Sequence, residues 1–360
     1  MSNRNSSHIR TTSTKEDQVI TTERNSTGVI ELNRPKALNS LNPEMVAEVA
    51  AAIERWAEDP SIHRVLITST SPKAFCAGGD VRTAREMGLN GDIASADRFF
   101  TDEYVMNEDL ANFPKPIVSV IDGVVMGGGL GISAHGSHRV ITEKALAAMP
   151  EMAIGFCPDV GMTWMMQRMV GDLGRPSHAL GNFLALTGWR LSPADMLWSG
   201  MATDYIHSED AEAFATMVVA ESLDEALEKF GQPHPVEQST LAPWVDQIEQ
   251  CFGFDTWAEI ESALAQCGDQ EFIDLVDKHI KGIASPTSLV ASTELLAANA
   301  KVDSIRHALD NELNMGNCLR REHDFTEGVR AVLVDKDRKP SFSPATTAEV
   351  DAERYRALVR

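Results

Sequence analysis

The chain of 360 residues lacks several features that would place it in a large class of proteins. It contains no run of about eighteen apolar residues, so we expect no transmembrane helix. Basic residues are too few to balance the acids, since 32 Lys and Arg face 53 Asp and Glu and give a formal net charge of −21. A field this negative opposes binding to nucleic acid or to an anionic membrane surface. An anionic ligand would therefore need a local rim of basic residues.

The chain also lacks the marks of secretion and of an oxidising compartment. Residues 1–18 are rich in Ser, Thr and Asn but have no apolar stretch like that of a secretion signal, so we expect a disordered polar tail. Only five cysteines are present, an odd number without a CxxC pair. Reduced thiols in a cytoplasmic protein account for them most simply.

The common cofactor and nucleophile motifs are absent. No GxGxxG fingerprint with a downstream acid, no Walker loop and no GxSxG elbow occurs, and no cysteine has a partner histidine at motif spacing. His135 and His138 stand three positions apart with no third metal ligand nearby, and we interpret both as structural. We therefore expect neither a metal ion nor a redox cofactor.

Short apolar strands and helices alternate in the first 205 residues. β-Branched segments at 63–68, 117–121 and 139–142 lead into loops, and a hairpin precedes them at 19–33. This order predicts an α/β fold with crossover connections, in which ligands bind at the loops that follow the strands. From about residue 206 the pattern is helical. The predicted division is a tail at 1–18, an α/β core at 19–205 and a helical region at 206–360.

Two glycine-rich turns occur where such loops are expected. Gly78 and Gly79 can direct an N–H group into a pocket, and an ordinary turn capped by Asp80 is the alternative. Gly127 to Gly129 precede a helical run and leave N–H groups unpaired at its start, which suits an oxyanion. Tight packing of that helix on a sheet is the alternative there. Two such turns in one chain favour an oxyanion hole with two donors.

Two carboxylates stand eight positions apart in an apolar segment, and each follows a proline. Glu151 follows Pro150, and Asp159 follows Pro158. A proline fixes its own backbone and restricts its neighbour, so each acid is held in a defined place. Desolvation raises the pKa of such an acid towards that of a general base, and a pair can divide the roles of acid and base. Capping of local turns is the alternative for both acids.

Taken together, these motifs resemble the crotonase (enoyl-CoA hydratase/isomerase) superfamily in order and spacing. The resemblance rests on NRPKALNSL at 33–41, KAFCAGGD at 73–80, IDG at 121–123 followed by GGG at 127–129, and MPE at 149–151. Four further segments resemble the 3-hydroxyisobutyryl-CoA hydrolases within it: FFTDEY at 99–104, PDVG at 158–161, SPTS at 285–288 and HDFTEGVRAVLVDKD at 323–337. The resemblance implies a crotonase-like α/β spiral of ββα units with a helical C-terminal region. It also implies an acyl-CoA substrate and no cofactor beyond the CoA of that substrate. Assembly into a homo-oligomer is compatible with it.

The resemblance implies roles for matching residues. Gly79 and Gly128 would supply the N–H groups of the oxyanion hole, Glu151 would be the catalytic carboxylate, and Asp159 would be its partner. Glu103 would lie near the hydroxyl end of a β-hydroxyacyl group. CoA would be received by loop residues: Lys36, Ala37, Leu38, Ala77 and Gly127. The basic rim is expected from residues at the same loops: Arg34, Lys36, Lys73 and Arg82.

One position departs from the pattern of the hydratases in this superfamily. They carry a glutamate three residues after the middle glycine of the triple turn, and this chain has Gly131 there. We therefore expect hydrolysis of a short β-hydroxyacyl-CoA thioester, with room left at Gly131 for an acid in the pocket. An enoyl-CoA isomerase, a hydratase that uses one acid and a non-catalytic binding module are the alternatives.

Overall fold

The computed structural model describes residues 17–233 and 238–360. Residues 1–16 of the predicted tail lie outside these ranges. Asp17 and Gln18 belong to the fold, because their backbone carbonyls each accept a hydrogen bond of 2.8 Å from Asn33. Among the residues in the two described ranges, no helix combines the length and the apolar character needed to cross a membrane.

In the described part of the chain, nine strands form two sheets. They are β1 (Val19–Arg24), β2 (Thr27–Leu32), β3 (Arg64–Ser69), β4 (Ala74–Cys76), β5 (Ile117–Ile121), β6 (Val124–Met126), β7 (His138–Ile141), β8 (Leu146–Ala148) and β9 (Asp204–Tyr205). The larger sheet has the order β1-β2-β3-β5-β7-β9, and the smaller has the order β4-β6-β8. β1 and β2 form the expected antiparallel hairpin, and the other strand pairs are parallel.

Each repeating unit gives one strand to each sheet before the chain leaves through a helix. β3 and β4 lead into α2 (Val81–Leu89) and α3 (Ile93–Ala111), and β5 and β6 lead into α4 (Gly128–Ser133). β7 and β8 lead into a 3₁₀ turn, Glu151–Ile154. Because β4, β6 and β8 are neighbours and parallel, the loops that follow them meet at one edge. This arrangement confirms the predicted spiral of ββα units.

The remaining helices follow in chain order. They are α1 (Pro43–Glu58), α5 (Met162–Met165), α6 (His178–Thr187), α7 (Pro193–Ser199), α8 (Ala211–Ala220), α9 (Leu223–Phe230), α10 (Val245–Phe252), α11 (Trp257–Gln266), α12 (Gln270–Ile280), α13 (Pro286–Asn299), α14 (Ile305–Leu319), α15 (His323–Val329) and α16 (Ala352–Arg356). A π-helical segment, Arg330–Val334, continues α15. The helical character expected of the C-terminal region is confirmed.

The buried face of helix α3 contains polar as well as apolar side chains. Asp92 caps its first turn by accepting a hydrogen bond of 3.3 Å from the Ser95 N–H. Its buried face carries the polar residues Glu103, Tyr104 and Asn107 among apolar ones. Buried polar side chains are uncommon in a core that serves packing alone. This face therefore points to the functional site.

The helical region and the α/β core share one body of buried apolar side chains. A single cluster runs from Val19 on β1 to Tyr355 on α16. A smaller cluster, which includes Leu66 and Phe214, lies between β3 and α8 on the other face of the larger sheet. The helical region can therefore contribute side chains directly to a site at the edge of the smaller sheet.

Candidate active site

The loops that follow β4, β6 and β8 meet around a cavity of about 570 Å³. Most of the predicted site residues line it: Ala77, Gly79, Glu103, Gly127, Gly128, Glu151 and Asp159. The remaining three, Lys36, Ala37 and Leu38, do not line it, and Leu38 is 40% exposed on a separate surface turn. That turn is still joined to the cavity wall, since the Ala77 N–H donates a hydrogen bond of 3.0 Å to the Leu38 carbonyl.

The two glycine turns contact each other. Gly78 has a φ of +110° and Gly127 a φ of +47°, in a region that favours glycine. A Cβ on Gly128 would lie 3.2 Å from the Gly79 nitrogen. Within the described residues, neither the Gly79 nor the Gly128 N–H takes part in a hydrogen bond. Two free donors this close together can bind a single oxygen atom.

Glu103 lies against both glycine turns. Its Oε2 is 3.8 Å from the Cβ position of Gly79, and its Oε1 would collide with a Cβ on Gly128. The side chain is buried, and its Oε1 has no hydrogen-bond partner among the described residues. Desolvation and the negative charge of Asp159 raise the pKa of Glu103 to about 8. At neutral pH the carboxyl is mostly protonated and can donate a hydrogen bond.

Glu151 is the buried acid beside the first glycine of the triple-glycine turn. It follows Pro150 and begins the 3₁₀ turn. Its Oε1 lies 3.0 Å from the Cβ position of Gly127, and its Oε2 has no partner among the described residues. Burial raises the pKa of Glu151 well above its usual value, and the charges of Asp159 and Glu312 add to the shift. The desolvated acid expected from the sequence is confirmed.

Asp159 is held by a tyrosine of α3. The Tyr104 hydroxyl on α3 donates a hydrogen bond of 2.7 Å to Asp159 Oδ2. Burial raises the pKa of Asp159 to about 7, although the Tyr104 hydrogen bond and the Arg320 guanidinium act to lower it. Arg320 lies 4.2 Å from the centre of the Phe100 ring and pairs with Asp97 at 3.1 Å. Asp159 therefore titrates near neutral pH and can both hold and release a proton.

The prediction of which basic residues surround the cavity was wrong. None of Arg34, Lys36, Lys73 and Arg82 lines the cavity. Arg34 pairs with Asp80 at 3.2 Å, which offsets its charge. Asp80 also caps α2 by accepting a hydrogen bond of 3.3 Å from the Thr83 N–H, as the alternative interpretation held. Two exposed arginines, Arg190 and Arg338, line the cavity instead, and neither forms an ion pair within the described ranges.

The room expected at Gly131 is absent. A Cβ on Gly131 would lie 2.7 Å from Val160 Cβ and 2.8 Å from Asn107 Nδ2, closer than such atoms approach in proteins. Gly131 is buried and does not line the cavity. The expectation of free space was wrong because α3 and the turn after Asp159 pack into it, and neither contact is local in sequence.

Sequence analysis did not identify Glu312 or Arg320 near the two acids. Both belong to the C-terminal helical region, about 150 positions from Asp159, so no local motif connects them. One signal was available for Glu312, which occupies the apolar stripe of α14 between Leu309 and Met315. A charged residue on the buried stripe of a helix is rare and marks a specific partner.

Several known proteins are similar to this chain in sequence and in fold. The family described as enoyl-CoA hydratase/isomerase matches residues 27–359. The 3-hydroxyisobutyryl-CoA hydrolase, mitochondrial, of Xenopus laevis is 38% identical over 345 residues, which are 93% of this chain and 87% of that protein. The protein of the same name from Homo sapiens is 37% identical over 350 residues, 94% of this chain and 87% of its own. The crystal structure of a carnitinyl-CoA dehydratase from Mycobacterium thermoresistibile has a TM-score of 0.85 at 36% identity and covers 96% of this chain and 97% of its own.

Proposed function

The chain belongs to the enoyl-CoA hydratase/isomerase family, and from that membership we propose that it hydrolyses 3-hydroxyisobutyryl-CoA, or a closely similar short β-hydroxyacyl-CoA, to the free acid and CoA. One observation carries the proposal: three buried carboxyl groups, those of Glu103, Glu151 and Asp159, and two free N–H donors line one cavity. The named hydrolases to which the chain is similar over most of its length support the choice of reaction.

Thioester hydrolysis first needs a binding place for the oxyanion. The carbonyl oxygen would bind to the N–H groups of Gly79 and Gly128, which stabilise its negative charge as the carbon becomes tetrahedral. A single donor of this kind is typically worth about 10²–10³ in rate. Glu103 beside the same glycines, neutral near pH 7, would donate a hydrogen bond to the hydroxyl of the acyl group.

Glu151 and Asp159 would then divide the proton transfers between them. Because Asp159 raises the pKa of Glu151, the pair favours one shared proton near neutral pH, which leaves one base and one acid. Glu151 would take a proton from water as the water oxygen bonds to the carbonyl carbon. The C–S bond then breaks, its electron pair stays on sulfur, and Asp159 would give the proton that turns the thiolate into the free thiol of CoA.

Glu151 can also act as the nucleophile. Its carboxylate oxygen would attack the carbonyl carbon, release the thiolate and form an anhydride, which water then cleaves. Label recovered in the Glu151 side chain after a single turnover in oxygen-18-labelled water would require the anhydride.

A dehydratase or hydratase is the second candidate, because a solved structure with that name shares the fold at 36% identity. Against it, position 131 has no acid, and Val160 and Asn107 fill the space that one would need. Enzymes of this superfamily that add water to a double bond use two glutamates. Of the two matching positions in this chain, only 151 is acidic, because position 131 is a glycine.

The experiment that tests the proposal measures release of free thiol from a panel of short acyl-CoA esters, with hydration of crotonyl-CoA measured in parallel. We expect the highest kcat/KM for 3-hydroxyisobutyryl-CoA and no hydration above background. Rapid hydration without release of thiol would replace the proposal with the second candidate.

Location and assembly remain predictions. The scarcity of cysteine favours a cytoplasmic location, whereas the names of the Xenopus and human relatives place those proteins in mitochondria. Fractionation of cells that express the full chain tests the location. Light scattering of the purified protein tests whether it forms a homo-oligomer.

A further inference from the structure

The turn that carries Asp159 has an unusual backbone. Val160 has a φ of +53°, and Gly161 follows with a φ of +79°. A β-branched residue rarely adopts positive φ, because its side chain crowds the carbonyl oxygen. Such a conformation persists only where surrounding contacts hold it, and it is found preferentially at functional sites. The contacts that hold this turn therefore bear on the position of Asp159.

Glu312 on α14 provides three of these contacts. Its Oε2 accepts a hydrogen bond of 2.7 Å from the Gly161 N–H. Its Oε1 accepts one of 3.2 Å from the Thr163 N–H and a second from the Thr163 hydroxyl. Glu312 is fully buried, 151 positions away in sequence from the glycine it binds. A buried carboxyl group with three donors on it is placed for those donors and not for general packing.

Further residues complete the restraint. His135 Nε2 donates a hydrogen bond of 2.7 Å to the Val160 carbonyl, which fixes the other side of the same peptide. Asn299 on α13 donates one of 2.7 Å to the Thr163 hydroxyl oxygen. That hydroxyl oxygen accepts from the amide, so its proton is available for Glu312. The turn is thus held by α13, α14 and the segment that follows α4.

We propose that Glu312 is a positioning residue: its carboxyl group holds the turn from Asp159 to Thr163 in the positive-φ conformation, so that Asp159 stays at the cavity beside Glu151. Its bearing on hydrolysis rests on the function proposed above. Glu312 does not line the cavity and so touches no substrate. Its effect would pass through the backbone of Val160 and Gly161.

The test compares Glu312→Gln with Thr163→Val and Thr163→Ser. A glutamine at 312 loses the bond to one backbone N–H in either orientation of its amide, because its NH₂ group cannot accept. Valine at 163 removes the hydroxyl at nearly constant volume, and serine restores it. Asp310→Asn on the exposed side of the same helix is the matched control, since it also removes one carboxylate from α14.

We expect kcat on the preferred acyl-CoA to fall about 10–100-fold in Glu312→Gln, with KM changed by less than about threefold, because displaced catalytic groups cost rate more than binding. In Thr163→Val, kcat should also fall. In Thr163→Ser most of the wild-type kcat should be recovered, and in Asp310→Asn kcat should equal that of the wild type. If Glu312→Gln does not fold, the two Thr163 variants decide the question alone. Unchanged kcat in Thr163→Val and in any folded Glu312→Gln protein would overturn the inference.

Crystal structures separate this inference from the proposed function. In Glu312→Gln or Thr163→Val, Val160 should leave the positive-φ region and the Tyr104–Asp159 hydrogen bond should lengthen. A wild-type protein that releases no CoA refutes the proposed function, whereas an unaltered Val160 in both variants refutes the role of Glu312. Either result can occur without the other.

Discussion

The Tyr104 hydroxyl lies 2.7 Å from Asp159 Oδ2, so helix α3 holds an acid that stands 55 positions further along the chain. The preceding residue, Glu103, places its carboxyl against the two glycine turns. One turn of helix thus supplies a hydrogen-bond donor to one acid and places a second acid beside Gly79 and Gly128. Glu103 and Tyr104 therefore connect the binding of the carbonyl oxygen with the proton transfer in the proposed reaction.

Replacing Tyr104 with Phe should move the pH dependence of turnover. The Tyr104 hydrogen bond lowers the pKa of Asp159, which is about 7, so its loss raises that pKa. Because Asp159 gives a proton in the proposed reaction, turnover requires its protonated form, and the basic limb of kcat against pH should shift to higher pH. Tyr355→Phe on α16 is the control. A profile that does not move would mean that protonation of Asp159 does not limit the basic limb.

Replacing Glu151 with Gln should abolish thiol release while the fold is kept. A positioned base is typically worth about 10²–10⁴ in rate, and the isosteric amide can neither take a proton nor attack the carbonyl. The measurements are steady-state turnover, a melting curve and calorimetric binding of CoA. Glu143→Gln, an exposed acid on a loop bonded to Ser208, is the matched control. Turnover within tenfold of the wild type would remove Glu151 from its assigned role.

Replacing Asp159 with Asn should lower kcat and leave KM nearly unchanged. Asp159 would act on the departing thiolate and so contribute in the transition state more than in the bound ground state. The same substitution keeps the volume and the hydrogen bond from Tyr104, whose hydroxyl can donate to an amide oxygen as well as to a carboxylate oxygen. Michaelis–Menten parameters decide between the roles. A large rise in KM at constant kcat would identify Asp159 as a residue that only binds substrate.

Placing an acid at position 131 should not create a hydratase. In Gly131→Glu the new side chain meets Val160 and Asn107 at once, so we expect a lower melting temperature and loss of hydrolysis without gain of hydration. Gly131→Ala should already show part of the destabilisation, since the clash begins at Cβ. Thermal melts with both assays measure this. A stable Gly131→Glu protein that hydrates crotonyl-CoA would show that the site adapts and that position 131 selects the reaction.

Removing the arginines at the cavity should weaken binding of the CoA moiety alone. In Arg190→Ala and Arg338→Ala we expect KM for the CoA ester to rise about 3–10-fold, because an exposed cation is lost from a strongly acidic protein. The corresponding pantetheine thioester lacks the nucleotide phosphates and should be hydrolysed as by the wild type. Arg24→Ala, on a distant strand, is the control. Equal losses on both esters would place these arginines against the acyl or pantetheine part.

The sequence alone was enough for the family, the ββα spiral and the members of the site that belong to short motifs. Gly79, Gly128 and Glu151 follow strands within three residues. Parallel strands bring their following loops to one edge, and Asp159 lies further along the loop that begins with Glu151. Such placement depends on local turns, which leave a readable pattern, whereas the repeated ββα unit was implied by the family resemblance. Membership of Glu103 in the cavity came from the motif at 99–104 and not from any periodicity.

The tertiary structure decided what surrounds those residues. The basic side chains at the cavity are Arg190 and Arg338, because Arg34 is paired with Asp80 and the loop of Lys36 lies on a separate surface. The space at Gly131 is closed, and the turn of Asp159 is held by Glu312 from a helix that no motif connects to it. These outcomes depend on how distant helices pack. A buried acid such as Glu312 can be noticed on an apolar helix stripe, but no local motif identifies the distant residue that it contacts.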